Sequence, residues 1–253
     1  MRVLTLARDL KRRKSREKHS LFVAEGVRAV EELVRSNVPV AGVLTAPQLD
    51  GAPRGLELRA LMQDRGVEVT PVSEAEFRSA AETESPQGVL AIGEIPRHSL
   101  EDFASRESLR LLVLDAVQDP GNVGTILRTA AALGVDATIA LPGTVDLWNA
   151  KVIRGAMGAS FRHPAFHAGF DELVSFLVTE GAELWGADAG GEPIGKAPAP
   201  GRLALAVGNE GAGLSSSVRR RAVRLVSLPI SGAVESLNVS VATGILLYQL
   251  RKE

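Results

Sequence analysis

Cysteine is absent from the 253 residues, which excludes disulfides, thiolate metal sites and cysteine nucleophiles. Aromatic residues make up only 4%, which argues against a surface that grips nucleic acid mainly by stacking on bases. No apolar run approaches the ~18 residues of a membrane-spanning helix, and the N-terminus is basic where a secretory leader needs an apolar stretch. A reducing, cytoplasmic setting is the expectation. Net charge is almost missing as well, with 29 Lys and Arg against 30 Asp and Glu. What remains is ordinary globular composition, 45% hydrophobic and 23% charged, long enough for one or two domains and a sizeable core.

The near-neutral balance hides a polarity. Residues 1–20 carry eight basic side chains (Arg2, Arg8, Lys11, Arg12, Arg13, Lys14, Arg16, Lys18) and two acids, a net of +6. Residues 21–107 carry eight bases and fifteen acids, a net of −7, and residues 108–253 carry thirteen of each. A basic arm on an acidic module can hold a polyanion by counterion release. Arg8, Lys11, Arg12, Arg13, Lys14 and Lys18 are therefore the candidate RNA contacts, against the plainer reading of a solvated amphipathic helix. A second cluster, Arg219, Arg220, Arg221 and Arg224, reads as an exposed helix end leading into a strand.

Apolar spacing predicts a helix over 22–34, strands over 38–44, 67–72 and 88–92, and helices over 56–65 and 73–81. That alternation describes a small α/β domain over residues 1–95. Residues 96–109 hold a proline, few aliphatics and mixed charge, and read as a linker. From 110 to 253 the rhythm is clearer. Strands are predicted at 111–114, 137–141, 183–187, 203–207 and 224–228, with helices at 123–133, 150–158, 171–180, 215–221 and 236–250. Residues 190–201 read as a loop. Alternating strands and helices imply a mostly parallel sheet covered on both faces.

Two candidate sites fail on inspection. Residues 190–196 match phosphate-loop spacing up to Lys196, but Ala197 stands where Ser or Thr should hold magnesium, and Pro198 and Pro200 forbid an immediate helix. His163 and His167 have metal-like spacing, but Pro164 disfavours a shared helical face and no third ligand is evident, so no metal is expected. No GxGxxG follows the first strand of the larger domain, which removes a plain dinucleotide-binding fold.

Three segments remain, each at a strand end. Asn122-Val123-Gly124-Thr125-Ile126-Leu127-Arg128 opens a helix. Asn122 suits a helix cap, and Arg128, flanked by apolar residues, is an expensive place for a cation unless an anion comes to it. Gly208-Asn209-Glu210-Gly211-Ala212-Gly213 sets three glycines around one acid and lets the backbone approach a ligand. Leu228-Pro229-Ile230 is followed, after a short loop, by Ser236-Leu237-Asn238-Val239-Ser240, polar groups opening an apolar helix.

These segments meet the patterns N-x-G-x-x-x-R, G-x-E-x-x-G and L-P-x(6)-S-L-N-V-S, and in that order they resemble the SpoU (TrmH-like) family of RNA ribose methyltransferases, in the SPOUT superfamily. Phe22-Val23-Ala24-Glu25-Gly26 before an amphipathic helix resembles the substrate-binding module preceding this domain in many members. The resemblance implies an α/β fold: a C-terminal SPOUT domain with a parallel sheet and a deep trefoil knot, after a small α/β substrate-binding domain. It implies S-adenosylmethionine held at Ala187, Gly208, Leu228, Ile230 and Leu237, and a homodimer whose site is completed across the interface. It also implies methyl transfer to a ribose 2′-hydroxyl, with Arg128 as the central polar residue. Asn122 and Asn238 would orient it, Ser236 would shape the pocket, and Glu210 would order its loop. The two-domain layout favours ribosomal over transfer RNA. The alternatives are a non-catalytic RNA-binding or ribosome-assembly factor on this fold, a tRNA ribose methyltransferase, or methylation of a base nitrogen.

Overall fold

The computed structural model describes residues 3–196, 198–231 and 234–251. Arg2 of the basic stretch and the Ala197 of the failed phosphate loop lie outside them. The chain forms two compact units. One runs through Pro96 and takes in Trp148–Arg162; the other joins Arg97–Leu147 to the chain from His163 onward.

The first unit contains α1 (Val3–Asp9), α2 (Arg13–His19), β1 (Leu21–Glu25), α3 (Val27–Val34), β2 (Val40–Thr45), α4 (Pro53–Asp64), β3 (Val69–Pro71), α5 (Glu74–Ala80) and β4 (Val89–Glu94). Its sheet runs β1-β4-β2-β3, with only the β2–β3 pair parallel. The helix predicted over 22–34 is split: 22–25 are strand, and Gly26, at φ 98°, separates them from α3. The physical reason is burial of β1 on both faces. Phe22 stacks on Trp148 and Phe161 at 4.6 and 5.6 Å, while Val23 packs with Ala7, Leu10 and Leu90. Such a strand lacks the polar alternation that would identify it. The same stacking holds residues 148–162 in the first unit, although the apolar rhythm alone runs the second domain unbroken from residue 110. Residues 3–19 are no loose arm, because Ala7 and Leu10 are buried and buried Arg16 donates to the carbonyls of Leu10 and Lys11 at 2.7 and 2.9 Å.

The chain continues as β5 (Leu109–Asp115), α6 (Pro120–Ala132), β6 (Ala137–Ala140), α7 (Ala150–Ala156, in the first unit), β7 (Ala165–His167), α8 (Phe170–Thr179), β8 (Glu183–Pro193), β9 (Arg202–Gly208), α9 (Ser216–Arg221), β10 (Arg224–Ser227) and α10 (Val239–Leu250). The six strands of the second unit are all parallel, in the order β10-β8-β9-β5-β6-β7. Part of the predicted linker belongs to this unit: Leu100 and Phe103, its main apolar residues, sit in the core with Leu111, Phe166 and Leu173. Strand β8 continues to Pro193, into the predicted loop, and reaches β10 there. A side chain at Gly191 would lie 2.6 Å from the Leu225 backbone, so glycine permits the approach. The three-residue β7 after Pro164 is too short for periodicity to reveal. Strand order reverses between β5 and β9, and in open parallel sheets the crevice beyond the carboxyl ends of such strands is where ligands bind.

Candidate active site

Three loops meet at that crevice. The first follows β5. Ala116 adopts φ 58°, a conformation uncommon outside glycine, and turns the chain towards α6. Asp119 caps α6 by accepting the Asn122 N–H at 2.8 Å, with Pro120 pre-set in the first turn. Asn122 is thus not the cap, as its position suggests, but a residue of the first turn, and its side-chain amide is released for other partners.

The second loop follows β9. Asn209 donates to the Ala116 carbonyl at 2.9 Å and accepts the N–H groups of Gly211 and Ala212, both at 3.0 Å. Asn209 and Gly213 bond each other's backbones, and a side chain at Gly208 would lie 2.2 Å from Gly213, so this turn requires glycine. Glu210 leaves the turn to accept the N–H groups of Gln118 and Asp119 at 3.2 and 3.1 Å, and the Asn122 amide at 3.1 Å. Partial burial pushes the Glu210 carboxyl up, but these bonds and its own N–H outweigh it and hold the carboxyl below its ordinary value.

The third loop precedes α10, which starts at Val239 rather than 236 because Asn238 is its cap. Asn238 Oδ1 accepts from the N–H and hydroxyl of Ser240, at 2.9 and 2.6 Å. Its Nδ2 then faces Asn122 and donates to Oδ1 at 2.9 Å. A continuous chain, Asn238 to Asn122 to Glu210, ties the three loops together, and every amide in it has its orientation fixed by a partner.

Beside this chain lies a cavity of about 620 Å³, within the range of small-molecule sites. All five predicted cofactor residues, Ala187, Gly208, Leu228, Ile230 and Leu237, line it, as do Glu210, Ser236 and Asn238. Ile230 and Leu237 are exposed apolar walls. Asn122 and Arg128 do not line it. Arg128 stands on the open face of α6, while neighbouring Ile126 and Leu127 turn inward. Its guanidinium is therefore not forced into apolar surroundings, contrary to what its sequence neighbours suggest, and among the described residues it has no hydrogen bond or ion pair. Sequence reasoning missed Asp119 and Asn209. The Asp-Pro pair at a helix start is a usable signal for the first.

The other candidates are distributed more plainly. Arg8 donates to Ser79 Oγ at 2.7 Å, and Lys11 donates to the Ser79 and Ala81 carbonyls at 2.9 and 2.7 Å. Arg12 pairs with Asp9 at 2.8 Å and Arg13 with Glu17 at 2.7 Å. Lys14 and Lys18 are exposed and unpaired among the described residues. Buried His163 bonds Thr138 Oγ1 at 2.8 Å, and burial pushes its pKa down to about 4. Among the described residues no group of three or more acids and histidines gathers as metal ligands would, and no helix is long and apolar enough to cross a membrane.

A model described as the SpoU rRNA Methylase family matches residues 110–248, and one described as an MRM3-like substrate binding domain matches residues 4–91. The chain is 36% identical over 245 residues to the 23S rRNA (guanosine(2553)-2'-O)-methyltransferase RlmP of Bacillus subtilis, covering 96% of this chain and 94% of that protein. It is 32% identical over 201 residues to the 23S rRNA (guanosine-2'-O-)-methyltransferase RlmB of Haemophilus ducreyi, covering 76% and 81%. The crystal structure of the SpoU methyltransferase AviRb from Streptomyces viridochromogenes, in complex with AdoMet, superposes with a TM-score of 0.85 at 27% identity, covering 99% of this chain and 97% of that one.

Proposed function

Because this chain belongs to the SpoU rRNA methylase family, we propose that it transfers a methyl group from S-adenosylmethionine to a ribose 2′-hydroxyl of ribosomal RNA. The observation that carries the reading is the bonded chain Asn238–Asn122–Glu210 beside a cavity of cofactor size. The cavity fits the cofactor: glycine and alanine allow close backbone approach, and Ile230 and Leu237 offer apolar walls to an adenine. When bound there, S-adenosylmethionine supplies a methyl group already activated on a sulfonium.

The protein's own task is to place the hydroxyl and manage its proton. Asn122 and Asn238 each spend one N–H on the loop-tying chain and keep one for the substrate. Arg128 clamps the adjacent phosphate and stabilises the developing alkoxide; a guanidinium, being a permanent cation, has no free lone pair to take up a proton, so the proton passes to phosphate or water. Glu210 is a positioning residue, and Ser236 shapes the cavity wall.

Arg128 lies outside the cavity of its own chain, which supports a site completed by a second copy. The open face of α10, Val241, Ile245 and Tyr248, supplies an apolar surface for such a dimer, and α6 packs beside it with Thr129 against Gly244. The deep knot is supported by the way segments 187–189, 207–213, 226–230 and 235–239 close around one cavity. Residues 1–95 act as the RNA substrate-binding domain, a reading supported by the family match over 4–91. The RNA substrate makes a cytoplasmic setting the natural one.

Arg128→Ala is expected to keep cofactor binding and lose about 10²–10³-fold in turnover on ribosomal RNA. Near-normal turnover would remove Arg128 from the mechanism. Mixing Arg128→Ala with Leu237→Arg, which blocks the cavity, tests the shared site. A closed dimer predicts that roughly a quarter of activity returns, since half the dimers are mixed and each has one intact site. No recovery would place Arg128 and the cavity in one protomer.

A further inference from the structure

One ion pair in the cavity is used by none of the motif residues. Among the described lining residues Arg219 is the single Lys or Arg, and its Nη2 pairs with the carboxylate of Asp188. Both residues line the cavity itself. The Asp188 side chain is only 13% exposed, and its other oxygen accepts the Gly190 N–H at 2.9 Å. The other lining acids are differently disposed: Glu210 is committed to three donors, and Glu235 is exposed. A pair whose arginine is nearly half exposed contributes little to folding. A ligand gives it a better explanation.

We propose that Asp188 and Arg219 clamp the amino-acid end of the methyl donor, Arg219 taking the α-carboxylate and Asp188 the α-ammonium. The assignment rests on reading the cavity as the S-adenosylmethionine site and extends it to the part of the donor that the motif residues leave unmatched. The donor has one anionic group, and the described lining offers one cationic side chain to receive it. A guanidinium carries five N–H donors in a fixed fork; the pair with Asp188 occupies Nη2, leaving Nε and Nη1 for a second carboxylate. A carboxylate accepts about four hydrogen bonds, and Asp188 uses two. A zwitterion set against the pair produces alternating charges in which each has an opposite neighbour, so neither end is desolvated without a partner.

The clamp makes these two residues determinants of specificity. Adenosine fills apolar walls equally well but brings nothing to the pair. A nucleoside triphosphate brings several negative charges towards Asp188, Glu210 and Glu235, where repulsion opposes it.

Calorimetric titration of the full chain with three ligands tests the proposal: S-adenosylmethionine, its decarboxylated form, and methylthioadenosine, which lacks the amino-acid end. Arg219→Met is expected to weaken S-adenosylmethionine at least tenfold and leave the other two within twofold. Asp188→Asn is expected to weaken both ligands that carry the ammonium and spare methylthioadenosine. Equal weakening of all three by Arg219→Met, or none, overturns the clamp. So does an unmodified chain that binds all three alike, although that result keeps the cavity as an adenosine site. An unmodified chain that binds none overturns the reading of the cavity as well.

Discussion

Each unit hangs a loop on one carboxylate, with opposite consequences. In the first unit Glu25, its side chain 2% exposed, accepts the Glu82 N–H at 2.7 Å, the Thr83 N–H at 3.3 Å and the Thr83 hydroxyl, with Arg154 Nη1 at 4.0 Å. All of that bonding is internal to the fold. In the second unit exposed Glu210 also gathers three N–H donors, but it connects onward through Asn122 to Asn238, whose amides have capacity left. The chemistry is the same, and the difference lies in what is left over. Polar capacity that is used up marks scaffold; capacity held in place yet unspent marks a surface that meets a ligand.

The comparison breaks most sharply at Glu25. Glu25→Ala removes the buried acceptor of two N–H groups and a hydroxyl and leaves the buried Arg154 Nη1 without its neighbouring carboxylate, and should cost about 3 kcal/mol, read as a lower denaturant midpoint. Glu210→Ala should leave the midpoint almost unmoved and reduce kcat by about 10²-fold through misplacement of Asn122, with cofactor affinity changed far less. If instead Glu210→Ala unfolds the protein and Glu25→Ala does not, the distinction between scaffold and site is mistaken. The Glu210 carboxyl sits below its ordinary value, so its ordering of the loops is present above that value and is lost only as pH falls through the lower folded one.

Much of the second unit is legible in the amino-acid sequence alone. Its strand–helix alternation and the three segments at strand ends follow from periodicity and glycine placement, because a parallel sheet writes its buried strands as apolar runs. Other features are written in no local pattern. Strand β1 reads as helix because Phe22 and Val23 are buried on opposite faces by partners far away in the chain, Trp148 and Phe161 among them. Residues 97–109 look like a linker because only three side chains there, Leu100, Phe103 and Leu109, anchor them in the core. Arg128 stands out in the sequence for the wrong reason: its neighbours along the chain are buried, but one residue further around the helix the surface is open. Local sequence records which residues are apolar, and only the fold decides which face each apolar neighbour protects.

The smallest expected effect separates charge counted from charge available. Residues 1–20 hold eight basic side chains, yet Lys11 is bonded to carbonyls at the end of α5, and Arg12 and Arg13 are paired with acids. Lys14 and Lys18 have no partner among the described residues and are available to meet phosphate. Substituting either by alanine should lower RNA affinity a few-fold and reduce the slope of log affinity against log salt by about 0.7–0.9 per lost contact, with no change in melting temperature. Lys11→Ala should do the reverse, lowering the melting temperature while leaving the salt slope alone. Equal slopes for all three variants would mean that the whole basic stretch acts as a diffuse field and that its internal bonds open when RNA arrives. Unequal slopes in the expected order would mean that the first unit presents only the charge its own fold does not consume, as the second does with Arg128.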